Sequence, residues 1–282
     1  MPNDKCLKIN CIFRQFKPSR MKRLIASVLA ILCVTSCKHG GPHYLLRLKY
    51  NKGVQTDLEY HSYIVSNDNQ TDAIRNEVVR MGFKVDTVVH DSLFTLSAKV
   101  DYIRVVDNGE FQLLNFSYTT EEPPTGNNQN AQRYNLLVKP LVDSTLALTV
   151  SSKGTLTKPF TFSHGRRLPG SPPLNYEMCQ IKFPADSIAI GEEWTNERID
   201  PLRNARWVSH YYIESIKDGA VNIKLYGVIE IGAKKNKFTG DYVIEQKTGA
   251  LTSGKIEIEG QTMTQGKGKL VIDITSREWG FQ

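Results

Sequence analysis

The chain has only one cysteine beyond residue 37, where a folded domain could form. Cys6, Cys11, Cys33 and Cys37 all lie in the first 37 residues, and Cys179 is the fifth and last cysteine. A disulfide needs two thiols, so the sequence excludes an internal disulfide beyond residue 37. The folded part must therefore be stabilised by burial of apolar surface, for which its length is sufficient.

The sequence also lacks the motifs of common catalytic and metal centres. His61, His90, His164 and His210 are dispersed and show none of the spacings typical of zinc ligands. No G-x-S-x-G motif of a hydrolase nucleophile is present, and Gly266–Lys269 lacks the rest of a phosphate-binding loop. Carboxylates are numerous, so a catalytic pair stays open as an alternative. We therefore predict a protein that is not an enzyme and that holds neither a metal nor a cofactor.

The one long apolar run lies near the N-terminus. Leu24–Val34 follows the basic stretch Met21–Arg23 and is too short for a membrane-spanning helix. The run ends in Val34-Thr35-Ser36-Cys37, an aliphatic residue and two small residues before a cysteine. This order resembles the lipobox of bacterial lipoproteins. The resemblance implies that the Cys37 thiol receives a diacylglycerol and that residues 1–36 are a signal peptide.

The same resemblance predicts where the protein resides. Residues 37–43 would be a lipidated tether to a membrane, and residues 1–20 would be an extension upstream of Met21 as the true initiator. An acidic run after the lipid-bearing cysteine resembles a surface-export signal of Bacteroidota lipoproteins, and it is missing here. We therefore expect a protein of the bacterial cell envelope, anchored by lipid to the outer membrane and facing the periplasm.

The net charge argues against nucleic acid as a partner. The formal charge of the chain is +7, but residues 1–36 carry seven lysine and arginine side chains against one aspartate. The remainder is close to neutral, at about +1, so the basic character belongs mostly to the leader. Neither nucleic acid nor an acidic membrane surface is predicted as a partner.

The rest of the chain reads as long strands with two different faces. Over residues 189–277, apolar residues recur at every second position, as in Val221, Ile223 and Leu225, with polar residues such as Lys224 between them. Such alternation is typical of a sheet that is buried on one face. Long antiparallel strands twist strongly. We therefore predict a mainly β fold of curled antiparallel sheet, as a half-barrel, a barrel or a sandwich.

Helices are expected to be few and short. Apolar residues at helical spacing predict one helix near 130–141, with Asn130 as a possible N-cap and Pro140 as a possible end; these residues are Tyr134, Leu137, Val138 and Leu141. A second helix near 73–81 is an alternative to strand, because its apolar positions fit both patterns.

Composition divides the folded part into two β units. The first unit is predicted at 44–165, opening with a strand at Tyr44–Tyr50, and the second at 184–282. A linker rich in glycine and proline at 166–183 separates them.

The two units resemble each other in sequence. Phe83–Asp91 matches His210–Asp218 at an offset of 127, and Ser151–Thr157 matches Gln246–Thr252. The offset of 127 also carries Phe94, Leu96, Ala98 and Tyr102 onto Val221, Ile223, Leu225 and Ile229. Turn residues align as well as apolar ones, which favours an internal duplication over the chance similarity of two amphipathic hairpins.

The pattern as a whole resembles uncharacterised Bacteroidota lipoproteins built from duplicated β units. The resemblance depends on the lipobox, on Tyr50–Gly53, on Phe183–Trp194 and on the hairpin region of Gly249 and Gly254. It implies the curled sheet and the membrane anchor, but no activity and no catalytic residues. The curled sheet is also similar to periplasmic lipoprotein carriers with an apolar groove, which is a likeness of fold alone.

Aromatic side chains are the candidate ligand-binding residues. Trp194, Trp207, Tyr211 and Tyr212 cluster at the start of the second unit, where they would line a ligand groove or stack on sugars. The alternative is that they belong to the core of the sheet.

Three functional hypotheses follow. The first is a non-enzymatic envelope lipoprotein that binds an apolar or carbohydrate ligand or assists envelope assembly. The second is a structural or protein-interaction module of an envelope complex, and the third is an enzyme. A continuous apolar channel inside the sheet would favour the first hypothesis, and a packed interior would favour the second.

Overall fold

The structure is a computed structural model that describes residues 41–66, 75–107, 116–122, 124, 128–162, 181–200, 204–261 and 267–278. Fourteen strands and one helix lie in these ranges. In chain order they are β1 (His43–Tyr44), β2 (Gln55–Ser66), β3 (Arg75–Val89), β4 (Leu93–Asp107), β5 (Phe116–Thr119), α1 (Gln129–Val142), β6 (Thr145–Ser151), β7 (Leu156–Phe162), β8 (Ile188–Ala189), β9 (Glu193–Asp200), β10 (Ala205–Lys217), β11 (Ala220–Ile231), β12 (Lys234–Glu245), β13 (Leu251–Gln261) and β14 (Lys267–Glu278).

Twelve of the strands form one antiparallel sheet. Its order is β7-β6-β4-β3-β2-β14-β13-β12-β11-β10-β9, with β5 paired to β4 beside this path. The path runs from β7 at one edge to β9 at the other, so the sheet does not close on itself. The prediction of a mainly β, curled antiparallel fold is confirmed.

We call β1–β7 with α1 the first half and β8–β14 the second half. The pairing of β14 with β2 joins the halves through eleven consecutive residue pairs, from Gly268–Ser66 to Glu278–Thr56. Twelve of the fourteen described strands, from both units, thus share one sheet. The predicted unit boundaries stay a prediction, since most of the 166–183 linker lies outside the described residues.

Alternation places one face of every long strand in the core. Val221, Ile223 and Leu225 of β11 are buried, as are Phe94 and Leu96 of β4. The polar residues between them are on the outer face, where Lys224 contacts solvent. One continuous apolar cluster contains inner-face residues from both halves, and burial of this apolar surface is the main stabilising term.

The sheet curls until distant turns come together. Leu48 N–H donates to Ser152 O of the β6–β7 turn (2.7 Å), and the adjacent Lys49 N–H donates to Thr248 O of the β12–β13 turn (2.8 Å). In a flat sheet β6 and β13 would be about 24 Å apart, at roughly 4.8 Å per strand spacing. Two adjacent residues can reach both turns only if the sheet bends back on itself.

Two irregular segments cross the end of the sheet where these turns lie. We call residues 43–54 the first strap, residues 181–192 the second strap, and this end the strap end. The first strap pairs with the second through β1 and β8, where His43 opposes Ala189. The predicted strand at 44–50 is therefore wrong beyond Tyr44, because the backbone N–H groups of Leu48 and Lys49 bond to turns and not to a neighbouring strand.

The helix differs in detail from its prediction. α1 begins after the N-cap Asn128, whose side chain accepts from the backbone N–H groups of Asn130 and Ala131, so Asn130 is not the cap. Pro140 lies inside the last turn and does not end the helix. Leu137 is 70% exposed, since the buried stripe runs through Ala131, Val138 and Leu141.

The alternative of a helix near 73–81 is wrong. The described part of that segment, from Arg75 onwards, belongs to β3 and pairs with β2 and β4. Val79 and Met81 point into the core at strand spacing, so tertiary pairing decided an ambiguous pattern.

Candidate functional site

Two of the four predicted aromatic residues are core residues. The rings of Trp194 and Tyr211 stack 5.2 Å apart at 16°, and both side chains are buried. Trp194 Nε1–H donates to Lys182 O at 2.8 Å, which ties the second strap to β9. Burial raises the pKa of Tyr211. These two rings hold the strap in place and present no open face to a ligand.

The other two aromatic residues lie on opposite faces of β10. Trp207 is half-buried on the inner face, 6.0 Å from the ring of Phe238, with the Arg198 guanidinium 4.8 Å from its ring. Tyr212 is one residue after Tyr211 and so points to the outer face. The four predicted residues therefore do not converge on one site.

An apolar cavity of about 90 Å³ lies at the strap end. The first strap, β2, β3, β4 and the second strap supply most of its wall. Its apolar lining includes Leu48, Tyr50, Leu58, Phe83, Leu96 and Phe183. Thr56 and Ser276 also line it, but their hydroxyl groups bond to each other at 2.9 Å. The wall thus offers apolar contact and little hydrogen bonding.

Each of the two straps that line this cavity is held by a backbone hydrogen bond to the other half. Lys49 of the first strap donates to Thr248 O in the second half, and Phe183 of the second strap donates to Lys153 O in the first half, both at 2.8 Å. Each strap is therefore fastened to a turn of the opposite half.

Two glycines make the close approach of the straps possible. A Cβ on Gly249 would lie 2.3 Å from Arg47 O, and a Cβ on Gly154 would lie 2.0 Å from Ile181 O. Both glycines also have positive φ, at +68° and +75°. A side chain at either position would collide with the strap backbone in a conformation that L-residues rarely adopt.

A second concavity, of about 500 Å³, lies on the outer face of β10–β13. Its polar and aromatic walls are formed by Tyr212, Lys224, Tyr226, Asp241, Lys255 and Glu257. We call it the outer groove. Its volume falls within the roughly 300–1,000 Å³ that is typical of small-molecule sites, unlike that of the strap-end cavity.

The charges of the outer groove are paired with one another. Lys224 contacts Asp241 directly and lies 3.8 Å from Glu214, and Lys255 lies 3.1 Å from Glu257, which also contacts Lys269. The hydrogen bond that Lys224 donates to Asp241 raises the pKa of Lys224, and the bond that Lys269 donates to Glu257 lowers the pKa of Glu257. Both shifts favour the ionised form of the group concerned.

Tyr226 also lines the outer groove, although the sequence pattern did not identify it as a candidate. Its ring stacks on that of His210 at 5.0 Å and 15°, and its hydroxyl donates to Glu193 Oε1 at 2.8 Å. His210 Nδ1 lies 3.1 Å from Thr195 Oγ1. Only the pairing of His210 with Tyr226 and of Tyr212 with Lys224 brings these groups together, and strand register is not visible in a single segment of sequence.

One buried carboxyl group lies under the helix. Glu77 of β3 is 3.3 Å from Arg75 and accepts from Tyr134 Oη of α1, also at 3.3 Å. Burial raises the pKa of Glu77, and Arg75 opposes this shift only in part. Tyr134, whose pKa is raised mainly by burial, links this carboxyl group to the helix, so the arrangement docks α1 on the sheet.

The described ranges contain neither a metal-binding cluster nor a membrane-spanning helix. Within them, no group of three His, Cys, Asp or Glu side chains could hold a metal ion. No helix of this part of the chain has the length and apolarity to cross a membrane. Cys37, the predicted lipidation site, lies outside the described residues.

Comparison with known proteins gives only distant structural similarity. No family model matches the chain, and no curated protein is similar to it in sequence. A lipovitellin structure concerned with lipid–protein interactions is 10% identical with a TM-score of 0.49, over 83% of this chain and 26% of that one. The chain thus spans about a quarter of lipovitellin.

A second solved structure matches this chain over almost the whole of its own length. It is an exported protein with a YmcC-like fold from Bacteroides fragilis, 9% identical with a TM-score of 0.26, over 80% of this chain and 97% of that one. Both similarities are too weak to assign a function.

Proposed function

We propose that this chain is a non-enzymatic lipoprotein of the bacterial envelope that binds the end of a membrane acyl chain in its strap-end cavity. Its anchor is a lipid on Cys37, and it faces the periplasm from the outer membrane. The observation that supports the proposal is an apolar cavity at the end of the sheet from which the tether leaves.

The tether places this end close to the membrane. His43 belongs to β1 in the first strap and is six positions after Cys37. Six Cα–Cα steps of extended chain span at most about 21 Å. A lipid on Cys37 would therefore hold the strap end, with its cavity, within that distance of the bilayer surface.

The size and lining of the cavity support the end of an acyl chain as its occupant. A volume of about 90 Å³ is too small for a whole lipid but admits the end of an apolar chain. Its wall is formed mostly by Leu, Val, Ile, Phe and Tyr side chains, and its Thr and Ser hydroxyl groups are already bonded to each other. Burial of a few methylene groups there would contribute about 0.8 kcal/mol each.

The anchor is tested first. Cys37→Ala should abolish incorporation of labelled palmitate and leave the protein unprocessed or soluble, because the thiol is the only acceptor in the lipobox. Label that persisted in this variant would contradict the assignment of the anchor.

The cavity is tested with a matched pair of variants. Ala250 lines the cavity and Ala147 lies half-buried in β6 outside it. Titration with a fluorescent undecanoic acid should show saturable binding that Ala250→Leu weakens at least about tenfold, since the added side chain occupies the cavity. Ala147→Leu should leave binding unchanged. Equal binding by both variants, or no saturable binding at all, would reject the proposal.

The alternative function is a structural module of an envelope complex. The specific observation in its favour is the dense packing elsewhere inside the sheet, where Tyr60, Met81, Phe94 and Ile272 are almost fully buried. Under this alternative the acyl probe would not bind, and Ala250→Leu would alter stability alone.

A further inference from the structure

The outer groove lies on the convex side of the sheet, away from the proposed acyl site. Cross-strand pairing forms it: Tyr226 opposes Thr239 across the β11–β12 ladder, and Lys224 opposes Asp241. Thr239 is small and exposed, so it leaves open space beside the larger side chains. The groove is therefore a product of the register of four adjacent strands.

The Tyr226 ring is held in a fixed position. The stacked His210 supports it, and the bond to Glu193 fixes its hydroxyl end, yet the side chain remains 39% exposed. Little conformational entropy would be lost when a ligand packs against a ring that is already immobile. The negative face of an aromatic ring attracts the slightly positive C–H groups of a sugar.

The charged groups of the groove favour an uncharged, hydrogen-bonding ligand. Two lysines, Lys224 and Lys255, oppose two carboxylates, Asp241 and Glu257, so no net charge remains to attract an anion or a cation. Ionised donors and acceptors still form strong hydrogen bonds with hydroxyl groups. A pyranose ring has both an apolar C–H face and a rim of hydroxyl groups.

From these observations we propose that the outer groove is a binding site for an uncharged hexopyranose segment of a glycan. Tyr226 would stack on the sugar ring, and Lys224, Asp241 and Glu257 would bond its hydroxyl groups. Tyr212 would form the second aromatic wall. The proposal does not depend on acyl binding, because the two concavities share no lining residue.

The first half provides the matched control. Tyr102 of β4 is also an outer-face tyrosine, with the Arg80 guanidinium 5.5 Å from its ring, but it lies outside the groove. Tyr102→Ala and Tyr226→Ala each remove one tyrosine ring from the outer face of the sheet. The comparison therefore separates loss of the groove wall from a general loss of aromatic surface.

The experiment is calorimetric titration of the full chain with cellohexaose, laminarihexaose and mannohexaose. At least one of them should bind, Tyr226→Ala should weaken that binding at least about tenfold, and Tyr102→Ala should leave it unchanged. Tyr226→Phe keeps the ring but loses the bond to Glu193, so it should fall between wild type and Tyr226→Ala. Thr239→Trp should block the groove.

Three results would overturn the proposal. The first is that none of the three sugars binds, and the second is that Tyr226→Ala binds as well as wild type. The third is binding restricted to anionic sugars and weakened several-fold between about 0.05 and 0.5 M salt, which would indicate a charged ligand. Titration of Tyr226→Ala with the undecanoic acid probe should match wild type, so failure of one site is distinguishable from failure of the other.

Discussion

The two halves use the same strand order. In the sheet, β2, β3, β4, β6 and β7 of the first half follow one another as β9, β10, β11, β12 and β13 do in the second, with β14 between the two sets. Gly53 at the end of the first strap donates to Val85 O, and Gly191 of the second strap donates to Ile213 O. Equivalent straps thus meet equivalent strands.

The bulges follow the same correspondence. β3 is irregular between Val85 and Thr87, and β10 is irregular between Ile213 and Ser215, so that Asp86 and Glu214 are the extra residues. An extra residue bends a strand and increases its local twist. The shared positions are in keeping with an internal duplication, which stays a hypothesis.

The register differs from the sequence alignment by one residue in β3. Val85 pairs with Leu96 as Ile213 pairs with Ile223, which sets β3 against β10 at an offset of 128 rather than 127. The cause is the turn: three residues, His90–Ser92, join β3 to β4, whereas Asp218 and Gly219 alone join β10 to β11. The predicted match of Phe83–Asp91 with His210–Asp218 is therefore one residue out of register.

A second bulge moves Tyr102 off its predicted face. Arg80 pairs with Tyr102 but Met81 pairs with Val100, so Asp101 is an extra residue in β4. Ile103 rather than Tyr102 then occupies the buried position that corresponds to Ile229. By contrast, Phe94, Leu96 and Ala98 are buried as predicted, in the same way as Val221, Ile223 and Leu225.

The outer faces of the halves differ far more than the inner ones. Where the second half has the pair His210 and Tyr226, the first half has Gly82 and Lys99. Inner positions are constrained by packing against many neighbours, while outer positions contact mostly solvent. Similar inner faces thus carry different outer faces, and the outer groove lies on the second half.

The largest expected effect tests whether the inner faces are equivalent. Leu96→Asp and Ile223→Asp should each destabilise the protein by at least about 4 kcal/mol, because each buries an unpaired charge. Lys224→Asp, on the outer face, should cost about 1 kcal/mol or less through exposed like charges. Urea unfolding measures all three. A mild effect at only one of the two inner positions would break the equivalence.

The strap contacts give the next largest effect. Gly154→Ala and Gly249→Ala should each cost roughly 3 kcal/mol, since both combine backbone collision with positive φ. Gly53→Ala is the control, because it has positive φ but open space around a Cβ, and it should cost only about 1 kcal/mol. Thermal melts in which the three variants lowered Tm equally would show that the straps do not need glycine at positions 154 and 249.

The smallest effect concerns a difference between the halves. The position of the buried Glu77 in the first half is taken by the buried Ala205 in the second. Because the pKa of Glu77 is raised in the folded protein, its contribution to stability is present below the ordinary carboxyl pKa and is lost as pH rises through the folded pKa. Relative to Glu77→Gln, the wild type should therefore lose stability as pH rises above the ordinary carboxyl pKa.

Protection of the α1 amides from hydrogen exchange checks this prediction. Protection in wild type should fall with rising pH more steeply than in Glu77→Gln, after correction for the intrinsic exchange rate. Identical pH dependence in the two proteins would show that the buried carboxyl group does not titrate at the helix contact.

The sequence predicted some residues of the outer groove but not others. Tyr212 was identified as a candidate and does line the outer groove. Trp194 and Tyr211 were grouped with it because they are near in sequence, but their parity and pairing place them in the core. Tyr226 was missed, since it stands on a different strand and meets Tyr212 only through the register of β10 with β11.

The sequence by itself determined which residues face inward along each regular strand, where most turns fall and where one helix forms. These are local properties, set by side-chain alternation, by turn residues and by the spacing of apolar residues. Tertiary structure alone decided how far the sheet curls, how each strap bonds to the opposite half and how both concavities are assembled. Those features depend on contacts between residues far apart in the chain, and a single extra residue in a turn or bulge shifts every such contact that follows.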